Sequence, residues 1–150
     1  MAKMKNRIAT LLAATAMTVG ASVTLGTTDA AAASWTFKKS SVSSNGSFSI
    51  VAYNDGSYAG VMVWNADPGC CDIPGDAFNV YDKLADGWGM EASMIIPISA
   101  DRVATTRGHG AGYTSPWNTG NLAEGTEVAI QLCAVKGEAF SCSAAYTGHA

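Results

Sequence analysis

From residue 34 onward, apolar and polar residues alternate over short stretches, and turn-forming residues interrupt each stretch before it reaches helical length. A period of two marks a strand with one buried face. Trp35 to Val42, Phe48 to Tyr53 and Tyr58 to Trp64 form a first set, separated by Asn45-Gly46 and Asn54-Asp55-Gly56. Gly and Asn accept the positive φ that tight hairpins impose, so these punctuation marks predict turns. Asp67-Pro68-Gly69 and Pro74-Gly75 frame a turn-rich connection to Ala77 to Tyr81. Beyond Asp86-Gly87 comes a clean alternation of Trp88, Met90, Ala92, Met94 and Ile96. Arg102 to Thr106, the alternating Val128, Ile130, Leu132 and Ala134, and a last stretch from Phe140 to Tyr146 complete the series. Seven or eight strands at this spacing predict an all-β fold. The expected architecture is a two-sheet antiparallel β-sandwich, immunoglobulin-like or jelly-roll-like, with a small β-barrel as the alternative. Neither an internal repeat nor a second domain is visible.

The first residues carry another pattern. Lys3, Lys5 and Arg7 precede an apolar stretch from Ile8 to Leu25, and Thr28-Asp29 leads into the small run Ala30 to Ala33. This is the layout of a secretory signal peptide, with cleavage expected before Ser34 and cuts after Ala30 or Ala32 nearly as good. Gly20, Gly26 and repeated Thr weaken the stretch as a retained membrane span. No Cys precedes Cys70, which argues against a lipid-modified N-terminus. The expected organisation is therefore a signal peptide over 1-33 and a single secreted, monomeric domain over 34-150, without membrane contact after cleavage.

Composition narrows the function classes. The 150 residues are 48% hydrophobic and 14% charged, which argues against a disordered chain. The formal net charge of -3 argues against a protein that neutralises phosphate backbones, so no nucleic-acid partner is expected. Removing 1-33 takes away three basic residues and one acidic one, leaving six against eleven.

Four cysteines in an exported domain suggest two bridges and allow three connectivities. If Gly137-Glu138 is a two-residue hairpin loop, with Gly first as a type II′ turn prefers, Cys133 faces Cys142 at a non-hydrogen-bonded position. The closer Cα atoms there suit a disulfide. Cys70 and Cys71 would then form a strained vicinal bridge or stay reduced, and the rival pairs each of them with one of the later two. Zinc is disfavoured because neither a C-x-x-C pair nor a nearby His is present.

Candidate chemistry lies in two regions. Asp67, Asp72, Asp76, Asp82 and Asp86 crowd twenty residues, an oxygen-rich segment in which Asp82 and Asp86 would be the calcium ligands, although Asp beside Gly and Pro is also ordinary turn chemistry. The stretch from Arg107 to Asn121 is the longest irregular one, and long loops in small domains are often functional. Its Arg107, His109, Tyr113, Trp117 and Asn118 supply a cation, an imidazole, two aromatic faces and an amide, the inventory of a sugar or peptide site. The plainer reading packs Tyr113 and Trp117 over the open end of the sandwich. The glycines of this stretch are not a dinucleotide fingerprint, since no βαβ unit surrounds them. Catalysis is not expected: no G-x-S-x-G elbow occurs, His109 is the only internal imidazole, His149 lies where chains usually fray, and Glu124 with Glu127 fit a turn entering a strand. Trp35, Trp64 and Trp88 fit core positions better than ligand platforms. No cofactor is implied.

The order of Tyr81-Asp82-Lys83-Leu84-Ala85-Asp86-Gly87-Trp88-Gly89, Arg102 to His109, Gly120 to Thr126 and Cys133 to Cys142 resembles small secreted, largely uncharacterised β-rich proteins of Streptomyces-like actinobacteria. The resemblance covers roughly residues 75 to 147 and implies export, a compact β fold and the Cys133/Cys142 pair, and it carries no activity. The adjacent Cys70-Cys71 departs from that pattern. The chain is accordingly expected to be a secreted, non-catalytic binding or extracellular structural protein whose partner is an extracellular glycan, such as cell-wall material or a polysaccharide, or an extracellular protein. The alternative is an inhibitor or toxin-like protein acting on another extracellular protein.

Overall fold

The structure, a computed structural model, describes residues 33-98 and 102-150, so the signal-peptide expectation lies outside the described residues. Among the described residues nine strands follow one another with no helix: β1 (Trp35–Lys39), β2 (Phe48–Asn54), β3 (Ser57–Asn65), β4 (Ala77–Asp82), β5 (Gly89–Ile96), β6 (Val103–Thr105), β7 (Glu127–Lys136), β8 (Ala139–Cys142) and β9 (Tyr146–His149). The first four pair in chain order as an antiparallel meander. The second sheet runs β6-β5-β7-β8, and β9 also pairs with β7. The two antiparallel sheets pack together, so the all-β sandwich expected from the alternation is what forms.

Period-two patterning builds the core between the sheets. Ile50 of β2, Met62 and Trp64 of β3 and Phe78 and Val80 of β4 are fully buried on one side. Met90 of β5 with Val128, Ile130 and Leu132 of β7 fill the other. Removing such side chains from water contributes about 25 cal/mol per Å² of apolar surface, the largest favourable contribution to folding. At Gly60 of β3 a Cβ would crowd the Tyr81 carbonyl oxygen of the neighbouring β4 and lie 2.6 Å from Met90 Cγ of the facing sheet, which is why a glycine stands inside a strand there.

The ends of the elements depart from the sequence expectation. β1 stops at Lys39, three residues early. The expected last strand is two: β8 and β9 lie along the same edge of β7, interrupted around Ser143, whose Oγ accepts the Leu132 N–H at 3.1 Å. His149 does not fray. It pairs with Glu127, and its carbonyl accepts the Trp64 indole N–H at 3.0 Å. The stretch after β6, expected to be irregular, lies along the free edge of β4: Asp82 N–H donates to Tyr113 O, Ser115 N–H to Val80 O, and Phe78 and Asn118 exchange both backbone bonds. An edge strand with unpaired donors and acceptors invites another chain, and this segment occupies it.

The cysteine arithmetic holds in the hairpin. Lys136 pairs with Ala139 across Gly137-Glu138, Gly137 takes a φ of +55°, and Cys133 and Cys142 are bonded with their Cα atoms 4.0 Å apart. Cys70 and Cys71 are both free thiols, so neither pairs with the later cysteines.

Candidate functional site

Among the described residues four polar side chains are buried: Asp82, Thr106, Ser115 and Ser143. Three are hydroxyls that complete a β ladder where strand pairing breaks. Thr106 Oγ1 accepts the Met90 N–H at 2.8 Å, Ser115 Oγ the Val80 N–H at 3.1 Å, and Ser143 Oγ the Leu132 N–H. Asp82 is different. It continues the inward-facing series Phe78, Val80 of β4, only 2% of its surface is exposed, and its Oδ1 is buried with no hydrogen-bond partner. Burial, helped by the neighbouring Asp86 carboxylate, pushes the Asp82 carboxyl up to about 6, while a hydrogen bond from the Leu84 backbone pulls the other way. A buried acid with an unfilled acceptor and an elevated pKa is costly for a fold, and such groups concentrate at functional sites.

Asp82 contributes to the wall of a cleft of about 510 Å³ at one end of the sandwich. Three connections meet there: the segment 83-88 between the sheets, the segment 106-111 after β6, and the β7–β8 turn. Trp88, Thr106, Arg107, His109 and Lys136 line it with Asp82. The first connection is pinned from both sides. The Ala59 carbonyl, opposite Lys83 where the β3–β4 register runs on past Gly60 and Asp82, accepts the N–H groups of Lys83 and Leu84 at 2.8 and 3.2 Å. Asp86 then accepts the Trp88 N–H at 2.9 Å on Oδ1 and the Asn54 amide at 2.7 Å on Oδ2. These bonds fix the half-buried Trp88 ring, which meets Trp35 edge-on with centroids 5.4 Å apart.

The second and third connections are tied to each other by Arg107. Its Nε donates to Glu91 at 2.7 Å in an ion pair, and its Nη1 donates to the Gly137 carbonyl at 2.9 Å. Lys136 passes over the first connection, with Nζ 3.3 Å from where a Cβ on Gly87 would sit. His109 stacks flat on Tyr113, ring centroids 3.6 Å apart and planes within 5°. Among the described residues no hydroxyl or carboxylate is hydrogen-bonded to that imidazole. The geometry is an exposed aromatic stack, without the nucleophile–base contact that acyl-transfer chemistry uses.

The five residues proposed from the sequence as one binding loop do not form one site. Arg107 and His109 line the cleft, with Tyr113 backing His109, whereas Trp117 and Asn118 line a separate depression beside β6. Asn118 is committed to the framework: its Oδ1 accepts from Arg102 Nε at 2.6 Å and its Nδ2 donates to the Val103 carbonyl at 3.0 Å. Pairing along β4 pulls residues 113-118 away from 107-111, which is why the loop divides. The two acids expected as calcium ligands are neighbours, but both Asp86 oxygens already accept hydrogen bonds. The described residues hold no group of three or more His, Cys, Asp or Glu arranged for a metal.

Sequence reasoning missed Trp88, Thr106 and Lys136 as cleft residues. Trp88 has a signal, its place directly after Asp86-Gly87, but the alternation that follows assigns it to the core. Thr106 and Lys136 are strand-end residues without any local mark. Compared with protein-family models, curated proteins and solved structures, the chain matches none.

Proposed function

We propose that this chain is a secreted, non-catalytic binding module, and that its ligand is an extracellular glycan held in the cleft between residues 83-89, 106-111 and the β7–β8 turn. The observation that carries the reading is the combination of side chains around one concavity. The Trp88 ring and the His109–Tyr113 stack offer flat apolar faces, Lys136 offers a donor, and Asp82 lies behind them with an unfilled acceptor. Sugar rings present apolar C–H faces and a rim of hydroxyls, and a pocket of mainly apolar lining with a few placed polar groups suits them. The disulfide between Cys133 and Cys142 is compatible with export, the setting in which such a ligand is met.

The test is retention of the folded domain on insoluble polysaccharides and cell-wall material. His109→Ala and Lys136→Ala change exposed side chains and leave the core alone, so each should weaken retention about tenfold, equivalent to about 1.4 kcal/mol. Trp117→Ala, outside the cleft, should leave it unchanged. Retention that survives both cleft variants removes this site.

A second reading has its own observation. Phe140, two residues before Cys142 on β8, is 72% exposed on the hairpin whose turn borders the cleft. An exposed aromatic on a bridged hairpin suits docking to another extracellular protein, as an inhibitor would. Capture of a secreted protein that Phe140→Ala abolishes and His109→Ala leaves intact would favour it over the glycan reading.

A further inference from the structure

The β3–β4 connection carries chemistry that the cleft does not use. Cys70 and Cys71 are adjacent, both exposed, and the Cys71 S–H donates to the Cys70 sulfur at 3.0 Å. The turn that presents them is tied down on both sides. Asn65 Nδ2 donates to the carbonyls of Asp67 and Pro74 at 2.5 and 2.7 Å, Gly69 N–H to Ile73 O at 2.9 Å, and Asp76 N–H to Ala66 O at 2.7 Å. Cys71 and Asp72 both take left-handed backbone conformations, with φ of 65° and 62°, which non-glycine residues seldom adopt. The two sulfurs are therefore brought together by a braced turn and open to solvent.

We propose that Cys70 and Cys71 are a covalent modification site, a vicinal dithiol that a small-molecule disulfide oxidises to a Cys70–Cys71 bond and that small thiols reduce again. The first nucleophile is Cys70, because the hydrogen bond that Cys71 donates raises the Cys71 thiol above the ordinary thiol range. The Cys70 thiolate attacks one sulfur of the external disulfide. That S–S bond breaks, one thiolate leaves and takes up the proton Cys70 released, and a mixed disulfide remains on Cys70. Cys71 then loses its proton and attacks the Cys70 sulfur beside it. The mixed disulfide breaks, and the second small thiolate leaves protonated. Two protein thiols are oxidised by two electrons, and one external disulfide is reduced to two thiols.

The product differs from the Cys133–Cys142 bridge in a predictable way. Joining adjacent residues closes an eight-membered ring that contains the 70-71 peptide bond, so the ring is strained and easier to reduce. Cys133–Cys142 instead closes a hairpin between paired strands. One chain would then carry a structural bridge and a labile one.

The experiment uses the folded chain with Cys133–Cys142 intact. It is incubated with oxidised glutathione, then exposed to increasing dithiothreitol, alkylated and read by peptide mass spectrometry. The expected result is a 70-71 peptide lighter by two hydrogens, carrying neither glutathione nor alkyl label. It should reopen at dithiothreitol concentrations at least about tenfold below those that open Cys133–Cys142. Cys71→Ser should stop at a stable glutathione adduct on Cys70, and Cys70→Ser should react more slowly because the first nucleophile is gone. A persistent glutathione adduct on the unsubstituted chain, two thiols that stay open to alkylation, a disulfide-linked dimer, or co-reduction with Cys133–Cys142 would each overturn the proposal.

Discussion

At the scale of single residues, Asp82 sets how stability depends on pH. Its carboxyl rises from an ordinary 3.8 to about 6 on folding, so between those values the folded chain holds a proton that the unfolded chain has released. The unfolded state therefore gains as pH rises through this window, opposite to the usual salt-bridged carboxylate, by at most about 3 kcal/mol above pH 6. Asp82→Asn keeps the shape and removes the titration. It should be more stable than the unsubstituted chain at pH 7.5 and about equal to it at pH 4, measured as urea midpoints. Parallel pH profiles for the two chains would show that the Asp82 carboxyl is not perturbed. The sequence pattern ended this strand at Tyr81 and grouped Asp82 with the turn acids, whereas β4 runs one residue further and turns Asp82 inward. Its neighbours across the sandwich, and hence its desolvation, come from segments distant in sequence.

At the scale of elements, strand ends are completed by hydroxyls. Ser143→Ala should cost about 1–3 kcal/mol, because the Leu132 N–H would lose its buried acceptor where β8 passes into β9. Thr106→Val, equal in shape, should cost a similar amount through Met90. Replacing Cys133 and Cys142 by Ala should lower the unfolding free energy by about 2–3 kcal/mol, from the loop-closure entropy returned to the unfolded chain. Denaturant titration of each variant checks these values. The hairpin of β7 and β8 was legible because its two-residue loop fixes the register locally, so Cys133 and Cys142 could be paired by counting from Gly137. The break at Ser143 was not legible, since nothing in Ser143-Ala144-Ala145 differs from an exposed strand until β7 is beside it. The Arg107 to Asn121 stretch misled for the same reason: hydrogen bonds to β4 order residues 113-118, and no periodicity within the stretch reports a partner thirty residues upstream.

At the scale of the whole molecule, the C-terminal strand ties the sheets together. Trp64 donates across to His149, Lys39 reaches the Thr147 carbonyl, and a Cβ on Gly148 would lie 2.6 Å from the Phe48 ring. Deleting residues 146-150 should therefore abolish cooperative unfolding rather than trim a loose end, which thermal circular dichroism would register as the loss of a sharp transition. A truncated chain that still melts cooperatively would show that β9 is dispensable. The sequence by itself determined the all-β class and most strand positions and favoured the Cys133–Cys142 pairing over its rival, because alternation and turn chemistry act over a few residues and need no distant partner. Only the tertiary structure decided which strands share a sheet, that Asp82 is buried beside Asp86, and that Trp88, His109 and Lys136 surround one cleft while Trp117 and Asn118 lie elsewhere. Burial and cleft lining are properties of segments far apart in the chain, fixed only when the two sheets close on each other.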